Sequence, residues 1–70
     1  MAVWEYAELV AVAGNDMVFY SASAPHGENQ RGGTHQILTK IGSDEWELVA
    51  VTLDSVSDPP AMVYTFKRQA

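Results

Sequence analysis

The stretch of this sequence densest in groups that could hold a ligand is PHGENQRGGTH, residues 25–35. Arg31 can grip a phosphate or carboxylate through two parallel N–H bonds. Gly32 and Gly33 lead into Thr34, where a helix is predicted to start, and the free backbone N–H groups of a helix N-terminus bind anions. His26, Asn29 and His35 add donors and acceptors. Arg31, Gly32, Gly33, Thr34, His35, His26 and Asn29 are therefore the candidate binding residues for a small anionic ligand. A nucleotide or signalling nucleotide is the natural candidate. A Gly-Gly pair before a helix falls short of the G-x-x-x-x-G-K-[ST] phosphate loop, and the plain alternative is a loop that only joins strand to helix.

Catalytic chemistry has little to work with. There is no Cys to act as a nucleophile, and there are only two His, which cannot complete a metal site by themselves. Glu5 and Glu8 alternate onto opposite sides of a strand, so they are no acid–base pair. No enzyme activity, metal or cofactor is expected. Trp4, Tyr6, Tyr20 and Tyr64 could stack nucleobases, but stacking platforms come with a positive groove. Against 9 Asp and Glu the chain has 4 Lys and Arg, a formal charge of −5. Phosphate backbones are held by Lys and Arg, so no nucleic-acid polymer is expected as a partner.

The elements that must position these residues follow from periodicity. Residues 3–12, VWEYAELVAV, alternate as a strand. Trp4, Tyr6, Val10 and Val12 lie on one face with Glu8, and Val3, Ala7, Leu9 and Ala11 on the other with Glu5. Gly14, Asn15 and Asp16 suit a tight hairpin turn, and residues 17–24 read as the return strand. Residues 25–33, with Pro25 and three Gly, read as an irregular loop. THQILTKIG, residues 34–42, reads as a short helix capped by Thr34 and ended by Gly42 in the left-handed conformation. Ile37, Leu38 and Ile41 form its apolar stripe, and Trp46 is expected to pack beneath Ile37 and Ile41. EWELVAVTL, residues 45–53, and AMVYTFKRQ, residues 61–69, complete the pattern. Lys67 and Arg68 then read as charges protecting an edge strand. The fold class is α+β: a four-stranded antiparallel sheet with one short helix on one face, in the order β-β-α-β-β, a single domain over residues 1–70.

One short helix cannot cover both faces of such a sheet, yet several strands are apolar on both sides. A face left to water is polar in antiparallel sheets. A second copy of the chain is the expected cover, making a homo-oligomer through sheet faces or edges. A chain of 70 residues without Cys also lacks the usual staples of a small domain, which leaves association as the remaining one. No stretch approaches the ~20 apolar residues that span a bilayer. No basic segment precedes an apolar run at the N-terminus, so no signal peptide is expected and a cytoplasmic location is predicted.

ILTKIGSDEWELVAV, followed by YTFKRQ, resembles a widespread group of small bacterial and phage domains of unknown function, domain-of-unknown-function family forty-one seventy-seven. Leu38, Gly42, Trp46, Glu47, Leu48, Val49, Phe66, Lys67 and Arg68 fit its pattern, and VWEYAELVAV is similar to its opening aromatic-Glu-Tyr strand. This chain departs at Glu45, where the family has Gly, and over residues 13–33. The resemblance implies the fold and no catalytic residues, since the family has no established activity. The expected function is a non-enzymatic, oligomeric binding module that holds a small anionic ligand near residues 25–35, of the kind that sequesters signalling nucleotides. The alternative is an acidic accessory protein docking on a larger partner, with the 25–35 loop inert.

Overall fold

The computed structural model describes residues 3–12, 17–56 and 59–70. In chain order the elements are β1 (Trp4–Val12), β2 (Met17–Ser21), β3 (Ala24–Gln30), α1 (Thr34–Ser43), β4 (Glu47–Asp54) and β5 (Ala61–Gln69). The strands form one sheet in the order β3-β2-β1-β5-β4, with every pairing antiparallel. The helix joins β3 to β4, which are the two edges, so the connection has to cross the sheet. Ten residues of helix span about 15 Å, against about 19 Å across five strands.

The sheet has five strands rather than the four expected, and the order is β-β-β-α-β-β. The extra strand is β3, drawn from the segment read as a loop. Pro25 lies in it because β3 is an edge, where a residue without an N–H forfeits no interior ladder bond. Gly27 takes φ 88°, and the register slips between Phe19 and Ser21 of the neighbouring strand. A Cβ at Gly27 would stand 2.5 Å from Val18 Cγ1 and 2.8 Å from Tyr20 Cε1, so these side chains close over the glycine. Pro and Gly therefore mark an irregular edge strand here. The hairpin turn expected at Gly14, Asn15 and Asp16 lies outside the described residues.

Three further readings are corrected. Gly33, extended at φ −72° and ψ 157°, is the N-cap of α1, and Thr34 is its first residue. The Gly33 N–H donates to Gln36 Oε1 at 2.9 Å, so the helix start is closed by Gln36 and not by a Thr34 hydroxyl. At the other end Gly42 stays within the helix, and Glu45 takes the left-handed conformation at φ 70°. Its N–H reaches the Gly42 carbonyl at 3.0 Å. Lastly, β5 lies between β1 and β4, so Lys67 and Arg68 are on an interior strand.

The core lies between the helix and one face of the sheet. Ala7, Leu9, Ile37, Ile41, Trp46 and Phe66 are buried there, with Met17, Phe19, Leu38 and Tyr64 packed against them. Burying each large apolar side chain contributes roughly 1.5–3 kcal/mol. Ala7 and Leu9 carry the β1 face that meets the helix, which puts the aromatic side of β1 on the far face. Trp46 lies under Ile37 and Ile41 as expected, in edge contact with Phe19 at 6.0 Å between ring centroids. β4 is poorly covered: all eight of its residues are exposed. Among the described residues no helix is long and apolar enough to cross a membrane.

Candidate functional site

The predicted binding residues do not converge on a pocket. His26, Asn29, Arg31, Gly32, Gly33, Thr34 and His35 are all exposed. His26 and Asn29 belong to β3, while residues 31–33 form the link into the helix. Arg31 makes no ion pair with a described residue. Part of the helix start is already occupied by Gln36, as above, and the His35 carbonyl accepts from Thr39 Oγ1 at 2.8 Å. Of the seven, Thr34 alone borders any of three described clefts, a shallow one beside Met17, Met62 and Tyr64. Among the described residues no three His, Asp or Glu come together as a metal-holding group.

A different place has the features of a site. A cleft of about 170 Å³ opens between the C-terminal half of α1 and the β2–β3 end of the sheet. Phe19 and Trp46 give it an aromatic floor. The sheet supplies Ser21, Glu28 and Gln30, the turn between β2 and β3 supplies Ser23, and the helix supplies Lys40. Each position has a local cause. Phe19 and Ser21 alternate onto the helix face of β2, and Glu28 and Gln30 fall on the same face because they pair with Phe19 and Met17. Lys40 precedes Ile41, so burial of Ile41 in the core sets Lys40 at the edge of the helix contact.

Arg68 closes one end of the cleft. Its Nε donates to the Glu5 carboxylate, and its Nη1 donates to the Asp44 carbonyl at 2.8 Å. Its guanidinium carbon also stands 4.1 Å from the centroid of the Trp46 ring. This charge is engaged three times over. Glu28 and Lys40 differ: they line the same cleft with opposite charges and form no ion pair with each other. Gln30 is the only buried polar side chain among the described residues. It uses its Nε2 to donate to the Glu28 carbonyl at 3.2 Å.

Sequence reasoning missed this cleft because its walls come from segments that only a third strand brings together. With residues 25–33 read as a loop, nothing placed Glu28 opposite Lys40. The available signal was the alternation of Glu28 and Gln30.

On the opposite face no described element covers the sheet. Trp4, Tyr6 and Tyr20 are 45%, 62% and 39% exposed. Val10, Val18 and Val63 join them, by the registers Val10↔Val18 and Val10↔Val63. Lys67 extends over the Trp4 ring, with its Nζ 4.5 Å from the centroid.

Comparison of the chain with protein-family models, with curated proteins and with solved structures finds no match in any of the three. The resemblance described above rests on the quoted residues alone.

Proposed function

We propose that this chain is a non-enzymatic binding module that works as a self-assembled pair, joined through the bare face of its sheet. The observation that carries the reading is that face: aromatic and β-branched side chains on the three central strands with no described element of the chain over them. Antiparallel sheets tolerate one wetted face when that face is polar. This one is apolar.

Magnitudes favour a second copy as the cover. A monomer of 7.7 kDa is expected to expose about 4,300 Å². This chain exposes 4905 Å². The surplus of about 600 Å² is in the direction expected of a chain with an uncovered face. Charge supports the same arrangement. The chain carries −5, so two copies repel in general. On the bare face the central strands place one acid, Glu8, and one base, Lys67, so approach there is least opposed. Sheets stacked in this way pack about 10 Å apart with their side chains interdigitated.

Pairing through this face leaves the helix and the polar cleft outward. The 25–35 segment keeps its exposed Arg31 and His35, but it has no walls. Sedimentation equilibrium at micromolar concentration tests the reading. A mass of twice 7.7 kDa is expected. A single-chain mass that holds up to millimolar concentration overturns it.

A further inference from the structure

We propose that the cleft between α1 and the β2–β3 end of the sheet binds a small zwitterion the size of a free amino acid. Three features converge there. Gln30 is 6% exposed, and its one side-chain hydrogen bond uses Nε2. Its Oε1 accepts no bond from a described residue and is open to solvent, since among the described residues no buried side-chain oxygen or nitrogen lacks a partner, so a ligand donor can reach it. Glu28 and Lys40 line the same cavity with opposite charges that do not satisfy each other. Arg68 is held by Glu5, by the Asp44 carbonyl and by the Trp46 ring, so it defines the wall and leaves the charge reading to Glu28 and Lys40.

Size and charge select the ligand class. The cleft of about 170 Å³ is smaller than the roughly 300 Å³ at which pockets for drug-sized molecules start. A nucleotide would extend out of it into solvent. A simple anion drawn to Lys40 meets the Glu28 and Asp44 carboxylates, and a simple cation drawn to Glu28 meets Lys40 and Arg68. A molecule with both charges satisfies each wall. Its ammonium donates to Glu28 and to Gln30 Oε1, and its carboxylate accepts from Lys40 and from the Ser21 and Ser23 hydroxyls. The cleft is on the helix face, so it stays open whether or not the bare face pairs, and its test is independent of assembly.

The experiment is a titration of the ¹⁵N-labelled chain with glycine, L-alanine and L-serine, with acetate and methylamine as single-charge controls. It is repeated on Glu28→Gln and Lys40→Gln. Both residues are exposed, and the amide spectrum itself reports that the variants remain folded. Saturable shifts of the Trp46 indole and Gln30 side-chain amide are expected with at least one amino acid. Each substitution is expected to weaken that binding about tenfold, the size of one lost charge-assisted hydrogen bond. The proposal is overturned by any of three results: no saturable shift with any amino acid, an equal response to acetate or methylamine alone, or affinity unchanged in either variant.

Discussion

The guanidinium carbon of Arg68 stands 4.1 Å from the centroid of the Trp46 ring, and on the next residue back Lys67 sets its ammonium 4.5 Å from the centroid of Trp4. Consecutive residues of one strand thus place a cation over a tryptophan on each face of the sheet, because successive side chains alternate. The two contacts differ in kind. Lys67 and Trp4 make a solvent-facing pair. Arg68 also ties β5 to β1 through Glu5 and to the helix exit through the Asp44 carbonyl. Arg68→Met is expected to cost about 1–2 kcal/mol, since partly exposed ion pairs contribute little and the bond to Asp44 and the ring contact contribute most. Arg68→Lys recovers less than half of that, because an ammonium cannot reach two partners and stack at once. Urea denaturation checks the cost. In a Trp4→Phe background, red-shifted Trp46 emission reports the opened edge of the core.

Glu45 occupies a conformation that suits glycine. At φ 70° its Cβ crowds the following carbonyl, at about 1–2 kcal/mol, and glycine removes that strain while giving back part of it as unfolded-state entropy. Glu45→Gly is expected to stabilise the fold by about 0.5 kcal/mol and to raise the melting temperature by about 2–4 °C. Glu45→Val lowers it, because a β-branched residue is worst in this region. Thermal unfolding followed by circular dichroism separates the two.

Gly27 is constrained from the other direction. An added Cβ would stand 2.5 Å from Val18 Cγ1, and a valine side chain has little freedom to withdraw. The positive φ adds its own strain. Gly27→Ala is expected to cost about 2–3 kcal/mol, the combined size of local overpacking and a left-handed alanine. Gly27→Ala combined with Val18→Ala recovers only the Val18 share of the clash, since Tyr20 Cε1 still stands 2.8 Å from the added Cβ. Denaturation midpoints of the single and double variants measure the split. Equal stability of Gly27→Ala and the parent would remove the account of β3 as a strand closed over by Val18 and Tyr20.

How far the sequence was legible depends on which force set each element. β1, α1 and β5 were readable because their apolar periods are strong: Ala7 and Leu9, Ile37 and Ile41, and Tyr64 and Phe66 all reach the core their spacing predicts. The burial of Trp46 was readable for the same reason. β3 was not, since Pro25 and Gly27 carry the local marks of a loop, and its strand character comes from pairing with β2, a tertiary effect that local propensity does not encode. The edge position of β4 was hidden as well. Its alternation is strong, but the order of strands places β5 inside it. The cleft was lost with β3, because Glu28 and Lys40 line one cleft only once that strand is in the sheet.

The bare face and the β4 edge are two apolar surfaces that could each seat a second copy, and one pair of substitutions tells them apart. Tyr6 is 62% exposed and Val51 is 46% exposed, so a carboxylate at either costs the single chain little. Tyr6 lies on the bare face, opposite Lys67. Val51 lies on β4, in register with Tyr64 and so on the helix side of the sheet. If copies stack face to face, Tyr6→Glu buries an unpaired charge in each copy and adds repulsion to chains already at −5, a penalty of several kcal/mol for the pair. Sedimentation should then show Tyr6→Glu as a folded single chain while Val51→Glu keeps the paired mass. The reverse pattern assigns the interface to the β4 edge, where an exposed strand extends the sheet through its free backbone groups, and withdraws the stacked arrangement.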